Sequence, residues 1–443
     1  MIVEKRAHSS LYLSNPHFHT FRIQSLDKLS CPFLAKATEH TPIEHSESPN
    51  LNLLPTPLSL SMIYLPFLLV IPIVLSLLLR LVSHLQTWAY FHRAAQQSWP
   101  SWQPGVSFIV PVRGLDQDSE QNFQSLCEQD YPHPYEIIFA LETEADPAVP
   151  AIRELIQRYP QRAIQLVFSE PLGLAAVGKI KNLIAGYRTS RYEVIVLIDS
   201  DVHIAPDFLS RSVGYLADSH IGAAFAAPVC EGSQDWVAAL HNMAVNASAL
   251  NYAAAAYQDR NNSVVGSLIV TRRDVLEAIG GLDAIANKVV GIDVSLGQAI
   301  HKANYQIRLL DRPARIYHSR DTFPAFWWQM HRWLVTIRHY FPQFPWLMIF
   351  LAVPLWWAFL FLAIALLLQI HIGFGAVLLA IVLLADLLSA AVINRRLVKD
   401  KAFWPFLWVA LLSEIISLPV LLHSLFSNKV LWRGRWLAVS EAP

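Results

Sequence analysis

The apolar run at residues 194–198 ends abruptly in two carboxylates one residue apart, Asp199 and Asp201. Charges this close repel. Either the aspartates cap the next helix, or something positive sits between them. A hard divalent cation meets the second condition, because Mg2+ or Mn2+ takes oxygen ligands and bridges to substrate phosphates. Asp201 and Asp199 are therefore candidate metal ligands beneath a nucleotide diphosphate. Further along, Asp293 opens a predicted helix in VVGIDVSLGQAI, where an N-cap aspartate is the ordinary alternative. Residues 323–341 (FPAFWWQMHRWLVTIRHYF) carry Gln329, Arg332 and Trp333 in an aromatic and basic mixture. That mixture suits a helix lying in a membrane interface. In GKIKN, Lys179 and Lys181 could meet phosphates, and Asn182 a ligand. A solvated helix face explains the three equally well.

The elements that must position these residues alternate. Residues 107–112, 135–141, 163–169 and 192–199 read as strands that are apolar throughout rather than at every second position. Between them lie predicted helices at 118–129, opened by a capping-type Asp118-Ser119, at 146–160 and at 178–190. Continuous apolarity and strand–helix alternation predict an α/β fold: a parallel sheet covered on both faces. Ligands of such sheets bind at the carboxyl ends of the strands. That rule selects Glu142 and Glu144 after the second strand, and Asp199 and Asp201 after the fourth.

The chain has 443 residues, 54% of them hydrophobic and 15% charged, with 34 Lys+Arg against 34 Asp+Glu. This balance excludes the basic field of a nucleic-acid binder. Cys31, Cys127 and Cys230 are scattered in no metal-like spacing, as expected of unpaired thiols in a reducing compartment. Apolar runs at 62–82, 346–370, 374–392 and 404–425 approach or exceed the roughly 20 residues that cross a bilayer. One transmembrane helix is thus expected before a soluble domain at 100–322 and about three after it, with an interfacial helix at 323–342. Residues 1–61 lack periodicity and read as a disordered leader, with Met62 an alternative start. The run beginning there is too long and too late for a signal peptide.

Arg80, His92 and Arg93 follow the first run, and Arg395, Arg396, Lys399 and Lys401 the third. By the positive-inside rule they place the soluble domain of an integral membrane protein in the cytoplasm. The tail at 427–443, with Lys429, Arg433 and Arg435, then falls outside against the rule, unless one C-terminal run is re-entrant. Asp386 and Glu414 lie inside membrane runs, and a polar contact between helices is the preferred reading.

In order, these segments resemble family 2 inverting glycosyltransferases, on the ceramide glucosyltransferase branch. The resemblance rests on PVRGLD, EQDYPHPYEII, DPA, GKIKNLIAGY, IDSDVHIAPDFL, VVGSLIVTRRDVLEAIGGL, QMHRW and LWRGR, and covers residues 65–439. It implies a GT-A-type domain that moves a sugar, glucose, from a UDP-sugar to a lipid hydroxyl such as ceramide. Glu142 or Glu144 would contact the uridine, Asp199 the ribose or metal shell, and Asp201 the metal. Asp293 would be the base and Arg332 a partner of the diphosphate, with Gln329 and Trp333 at the acceptor entrance. Two positions depart from the pattern: glutamates stand where relatives have an aspartate, and Ile292 stands where they usually have an acid. Runner-up readings are a hopanoid or diacylglycerol glycosyltransferase, and a polysaccharide synthase, which needs more helices. A non-catalytic sugar-nucleotide-binding partner is disfavoured by the retention of Asp199, Asp201, Asp293 and Arg332 together.

Overall fold

The computed structural model describes residues 64–98, 100–169, 178–286, 290–432 and 434–439. The expected leader, Met62, Cys31 and Arg433 lie outside the described residues. Residues whose branched or aromatic side chains favour a pleated, buried surface form the central strands. These are β1 (Val106–Pro111), β2 (Tyr135–Leu141), β3 (Ala163–Phe168) and β4 (Val194–Ile198). Next come β5 (Val202–His203), β6 (Ile221–Phe225), β7 (Pro228–Glu231), β8 (Leu268–Arg272), β9 (Gln306–Leu309) and β10 (Ala314–Tyr317). The main sheet runs β3-β2-β1-β4-β8-β6-β9. Its first four strands are parallel, β8 is antiparallel to both neighbours, and β6 and β9 are again parallel. A smaller sheet, β5-β10-β7, adjoins the end of β4.

Strand alternation sends Phe108 and Val110 to one face of the sheet and Ile109 to the other, into two separate cores. The first core takes Phe123 and Leu126 of helix α2 (Ser119–Cys127) and Ile152 of α3 (Val149–Arg158). The second takes Ile180 and Ile184 of α4 (Gly178–Thr189). Both faces are covered, as the uninterrupted apolarity of the strands requires. The α2 start differs from expectation. Asp118 adopts a left-handed backbone (φ 55°) and makes no side-chain cap. Ser119 Oγ instead donates to the Asp116 carbonyl at 2.9 Å, folding the loop back on itself. Cys127 and Cys230 are buried and unpaired, as read from the sequence.

The apolar runs do not all become spans. The first forms α1 (Val70–Gln96), which with its leading 3-10 turn extends over 31 residues, and the third forms α10 (Ile372–Ile393). Both are long and apolar enough to cross a membrane. The second run breaks into α8 (Phe344–Leu351) and α9 (Pro354–Leu368), bent by 52°. The cause is Pro354, which disfavours helix at the residue before it. The fourth run yields only α11 (Val409–Leu425), 17 residues with Pro419 inside. At 1.5 Å per residue that is about 25 Å, short of a hydrocarbon core of about 30 Å.

The ends of α11 show why it need not span. Near its start, Val409 and Ala410 pack with Val237 and Leu240 of α5 (Trp236–Tyr257) and Phe326 of α7 (Phe323–Tyr340). At its end, Arg338 of α7 donates to the Leu425 carbonyl and, at 2.9 Å, to that of Ser427. Both ends of α11 therefore lie on the soluble-domain side. The tail hairpin, β11 (Lys429–Trp432) and β12 (Arg435–Ala438), packs Val430 against Val335 of α7. The tail stays beside the domain and not across the membrane from it, so the conflict with the positive-inside rule disappears.

Arg80 of α1 holds this helical layer together. Its guanidinium pairs with Asp386 of α10 and, at 3.5 Å, with Glu414 of α11. Glu414 Oε1 also accepts the Leu355 N–H at 2.7 Å, tying in the first turn of α9. Asp386 and Glu414 thus serve a polar contact between helices, as expected. Removing one partner from a buried ion pair costs about 3–5 kcal/mol, because the other charges are left uncompensated. Arg80→Ala is therefore expected to lower the thermal-inactivation midpoint in detergent markedly, and Arg80→Lys to lower it less. Unchanged midpoints for both variants would contradict the clamp.

Candidate active site

The β4 strand delivers its aspartates through a tight turn. Asp199 N–H donates to the Ser267 carbonyl at 2.9 Å, and Val202 N–H to the Asp199 carbonyl at 3.2 Å. Lys179, in the first turn of α4, places Nζ 2.5 Å from Asp199 Oδ1 and 3.3 Å from the Gly266 carbonyl. On the other side of the same residue, Gly266 N–H donates to Asp293 Oδ2 at 2.9 Å. A Cβ at Gly266 would lie 3.2 Å from that carboxylate oxygen, closer than ordinary van der Waals contact. Asp293 is the second residue of α6 (Ile292–Lys302), and its Oδ1 accepts its neighbour's Val294 N–H at 3.0 Å. It is not the N-cap, which is Gly291 in a left-handed backbone.

A third acid joins the pair. Ser200 Oγ donates to Asp116 Oδ2 at 2.9 Å, bringing the β1–α2 loop over the turn. Asp146 fixes that loop by accepting Gly114 N–H on both carboxylate oxygens at 3.0 Å, with Ala148 N–H at 2.9 Å. The repulsion expected from the sequence is present. Burial, then the Asp199 and Asp116 charges, push Asp201 up to about 7. Burial also raises Asp199, against the pull of the Lys179 ammonium. Asp201 Oδ1 is buried with no hydrogen-bond partner among the described residues. An orphaned buried oxygen flanked by two more carboxylates suits a hard divalent cation, which takes oxygen ligands.

The remaining expected residues are placed unequally. Glu142 faces the start of α4, where a Cβ on Gly178 would collide with its carboxylate. Glu144 turns away, exposed and paired with Arg153. Lys179 and not Lys181 reaches the acid pair, and Lys181 forms no ion pair among the described residues. Asn182 is buried and donates to the Val112 carbonyl at 3.2 Å, while its Oδ1 has no hydrogen-bond partner among the described residues. On α7, the Arg332 guanidinium lies 5.2 Å from the centre of the Trp432 ring, and Gln329 is half-buried. Trp333 meets His241 edge-on, with ring centres 6.0 Å apart.

Sequence reasoning missed several of these residues. Asp116 stands inside PVRGLD and Asp146 inside DPA, segments read only as family markers. Their acids, one loop from the strand ends, were the available signal. A cluster of His241, His318 and Asp321 was also missed. His241 Nδ1 lies 2.8 Å from Asp321 Oδ2, and the potential ligand atoms fall within 4.8 Å of one another, close enough to share a metal ion. Burial and the neighbouring His241 push His318 down to about 4. Only two of these three residues, in YHSRD, are near in sequence; α5 supplies the third.

The described residues thus join an α/β sheet bearing a D-x-D at its carboxyl edge to helices of membrane-spanning length. The chain belongs to glycosyl transferase family 21, whose model matches residues 68–443. It is 25% identical over 236 residues to ceramide glucosyltransferase 1 of Caenorhabditis elegans, covering 52% of this chain and 49% of the relative. It is also 25% identical over 242 residues to a beta-monoglucosyldiacylglycerol synthase of Synechocystis, covering 52% and 47%. The chain thus spans about half the length of these curated relatives. The solved mannosyltransferase PcManGT of Pyrobaculum calidifontis, in complex with GDP-Man and Mn2+, aligns over 78% of this chain and 99% of its own. Its TM-score is 0.41 and its identity 19%.

The raised pKa of Asp201 carries a stability consequence. A carboxyl group raised in the folded state favours folding while protonated. That contribution is complete below the ordinary carboxylate range near 4 and is lost as pH rises through about 7. Asp201→Asn, neutral at every pH, is expected to exceed the parent's thermal stability by a larger margin at pH 8 than at pH 5, in EDTA. Equal stability at pH 8 would remove the repulsion from the account.

Proposed function

We propose that this chain transfers a sugar, glucose, from a UDP-sugar to the hydroxyl of a membrane lipid such as ceramide, with inversion at the sugar C1. The observation that carries this reading is the single residue Gly266. It ties the acid pair at the end of β4 to Asp293 beside the membrane-facing helices. The names of the ceramide and diacylglycerol relatives support a lipid acceptor. The Synechocystis relative also makes diacylglycerol the second acceptor to test.

Asp201 and Asp199, with Asp116 beside them, would hold Mg2+ or Mn2+. Bound there, the cation would supply charge neutralisation for the leaving diphosphate. Glu142, at the carboxyl end of β2, is the better placed of the two glutamates to contact the uridine. Lys179 lies near enough to exchange Asp199 for a donor phosphate. Asp293 accepts the proton of the lipid hydroxyl as that oxygen bonds to C1 and the C1–diphosphate bond breaks. Two backbone N–H groups aim its carboxylate, and each oxygen keeps a lone pair for the proton. Arg332 stabilises charge on the diphosphate, as a planar guanidinium suits phosphate oxygens, while Trp333 and Gln329 border the acceptor. The soluble domain faces the cytoplasm. Its support is that the basic ends of α1 (Arg93) and of α10 (Arg395, Arg396 and Lys399) both lie on the domain side.

The reading is tested by incubating the purified protein with UDP-sugars and lipids and weighing the products. Transfer is expected from UDP-glucose, to be abolished by EDTA and restored by Mg2+ or Mn2+; full activity in EDTA would overturn the metal role.

Base and binder separate at Asp293. Asp293→Asn keeps the size and one of the two N–H contacts, its amide NH2 being unable to accept the other, and it cannot take the proton. It is expected to bind UDP normally, melt near the parent and turn over at least about 10²-fold more slowly. Near-parental turnover would remove Asp293 as the base.

A further inference from the structure

Between the domain-side ends of α1 and α10 and the soluble domain lies a cavity of about 1040 Å3. It reaches the upper end of the roughly 300–1,000 Å3 typical of small-molecule sites. None of its lining residues belongs to α6, α7 or α11, so it is separate from Asp293 and the Q-x-x-R-W helix. Its walls are of two kinds. Leu85 and Trp88 of α1 and Val392 of α10 border it with half-exposed apolar side chains (58%, 59% and 44%) on helices of membrane-spanning length. The soluble domain contributes a polar wall whose charges largely cancel. Arg211 pairs with Asp311, Arg312 with Asp207 at 2.9 Å, and Arg315 with Glu231 at 2.6 Å.

Two lining cations remain. Arg396 and Lys399, on the turn that ends α10, form no ion pair among the described residues, although both border the cavity. The space is thus apolar where it meets the membrane helices and carries uncompensated positive charge at its rim. An acyl chain is complementary to the first surface and a phosphodiester to the second. Basic pockets between membrane helices at the interfacial level are where anionic lipid headgroups bind.

We infer that this cavity binds one anionic phospholipid, with its phosphate at Arg396 and Lys399 and its chains along Leu85, Trp88 and Val392. The bound lipid fills the gap between the helical layer and the β5 side of the catalytic domain. It is neither donor nor acceptor, since it lies away from Asp293, so its binding is independent of the sugar transfer proposed above.

The experiment uses the full chain in detergent, titrated with phosphatidylglycerol or phosphatidylcholine and read by native mass spectrometry. The parent is expected to take up one phosphatidylglycerol at a concentration about tenfold or more below that needed for phosphatidylcholine. Arg396→Gln with Lys399→Gln should abolish that preference. Arg395→Gln with Lys401→Gln removes the same charge from outside the cavity walls and should preserve it. Should the first pair fail to fold, Val392→Trp, which plugs the mouth without altering charge, should block uptake instead. The inference is overturned if the parent shows no preference, if the two double variants behave alike, or if inorganic phosphate competes as well as the lipid does.

Discussion

Like charges crowded into one turn are the constraint around which the catalytic domain is arranged. Asp199 and Asp201 leave β4 together, Asp116 is brought over them by Ser200, and Asp293 faces them across Gly266. Lys179 pairs with Asp199 at 2.5 Å. Such a cluster would relax by separating if the backbone allowed it. The fully buried β4, hydrogen-bonded between β1 and β8, does not allow it. The sheet therefore keeps the acids poised for a positive partner, and Asp201 registers the cost as a carboxyl that holds its proton up to about 7.

Most of the sheet was legible in the sequence because its strands are buried on both faces and so read as unbroken apolar runs. The β2 boundaries agree with the reading to the residue, and α4 closely. The acid pair was legible for the same reason, since a charge that ends such a run is conspicuous. What could not be read were relations between segments. Whether Glu142 or Glu144 faces the site depends on the path of the chain after β2, which turns Glu144 out to Arg153. Choosing between Lys179 and Lys181 required the rotation of α4. Asp116 and His241 enter through loops and helices distant in sequence, and no spacing announces them.

The membrane runs teach the complementary lesson. Composition alone made the residues at 404–425 a span, and composition is a measure of what can be buried, not of where. A proline within the helix and packing at both ends decide that α11 rests against α5 and α7 on the domain side. The same geometry carries the tail back to the helix bearing Arg332, where Trp432 lies under its guanidinium. Arg80 then binds α1, α10 and α11 into one layer, so the anchor before the domain and those after it form a single platform.

Gly266 gives this arrangement a property of timing. Its carbonyl is held by Lys179 and its N–H holds Asp293, so one residue is pulled from opposite sides. A group that draws Lys179 away releases one of those pulls and shifts the aim of the other. Under the proposed function, a negatively charged donor that drew Lys179 away would also loosen the hold on Asp293, coupling the donor's arrival to the aim of that acid.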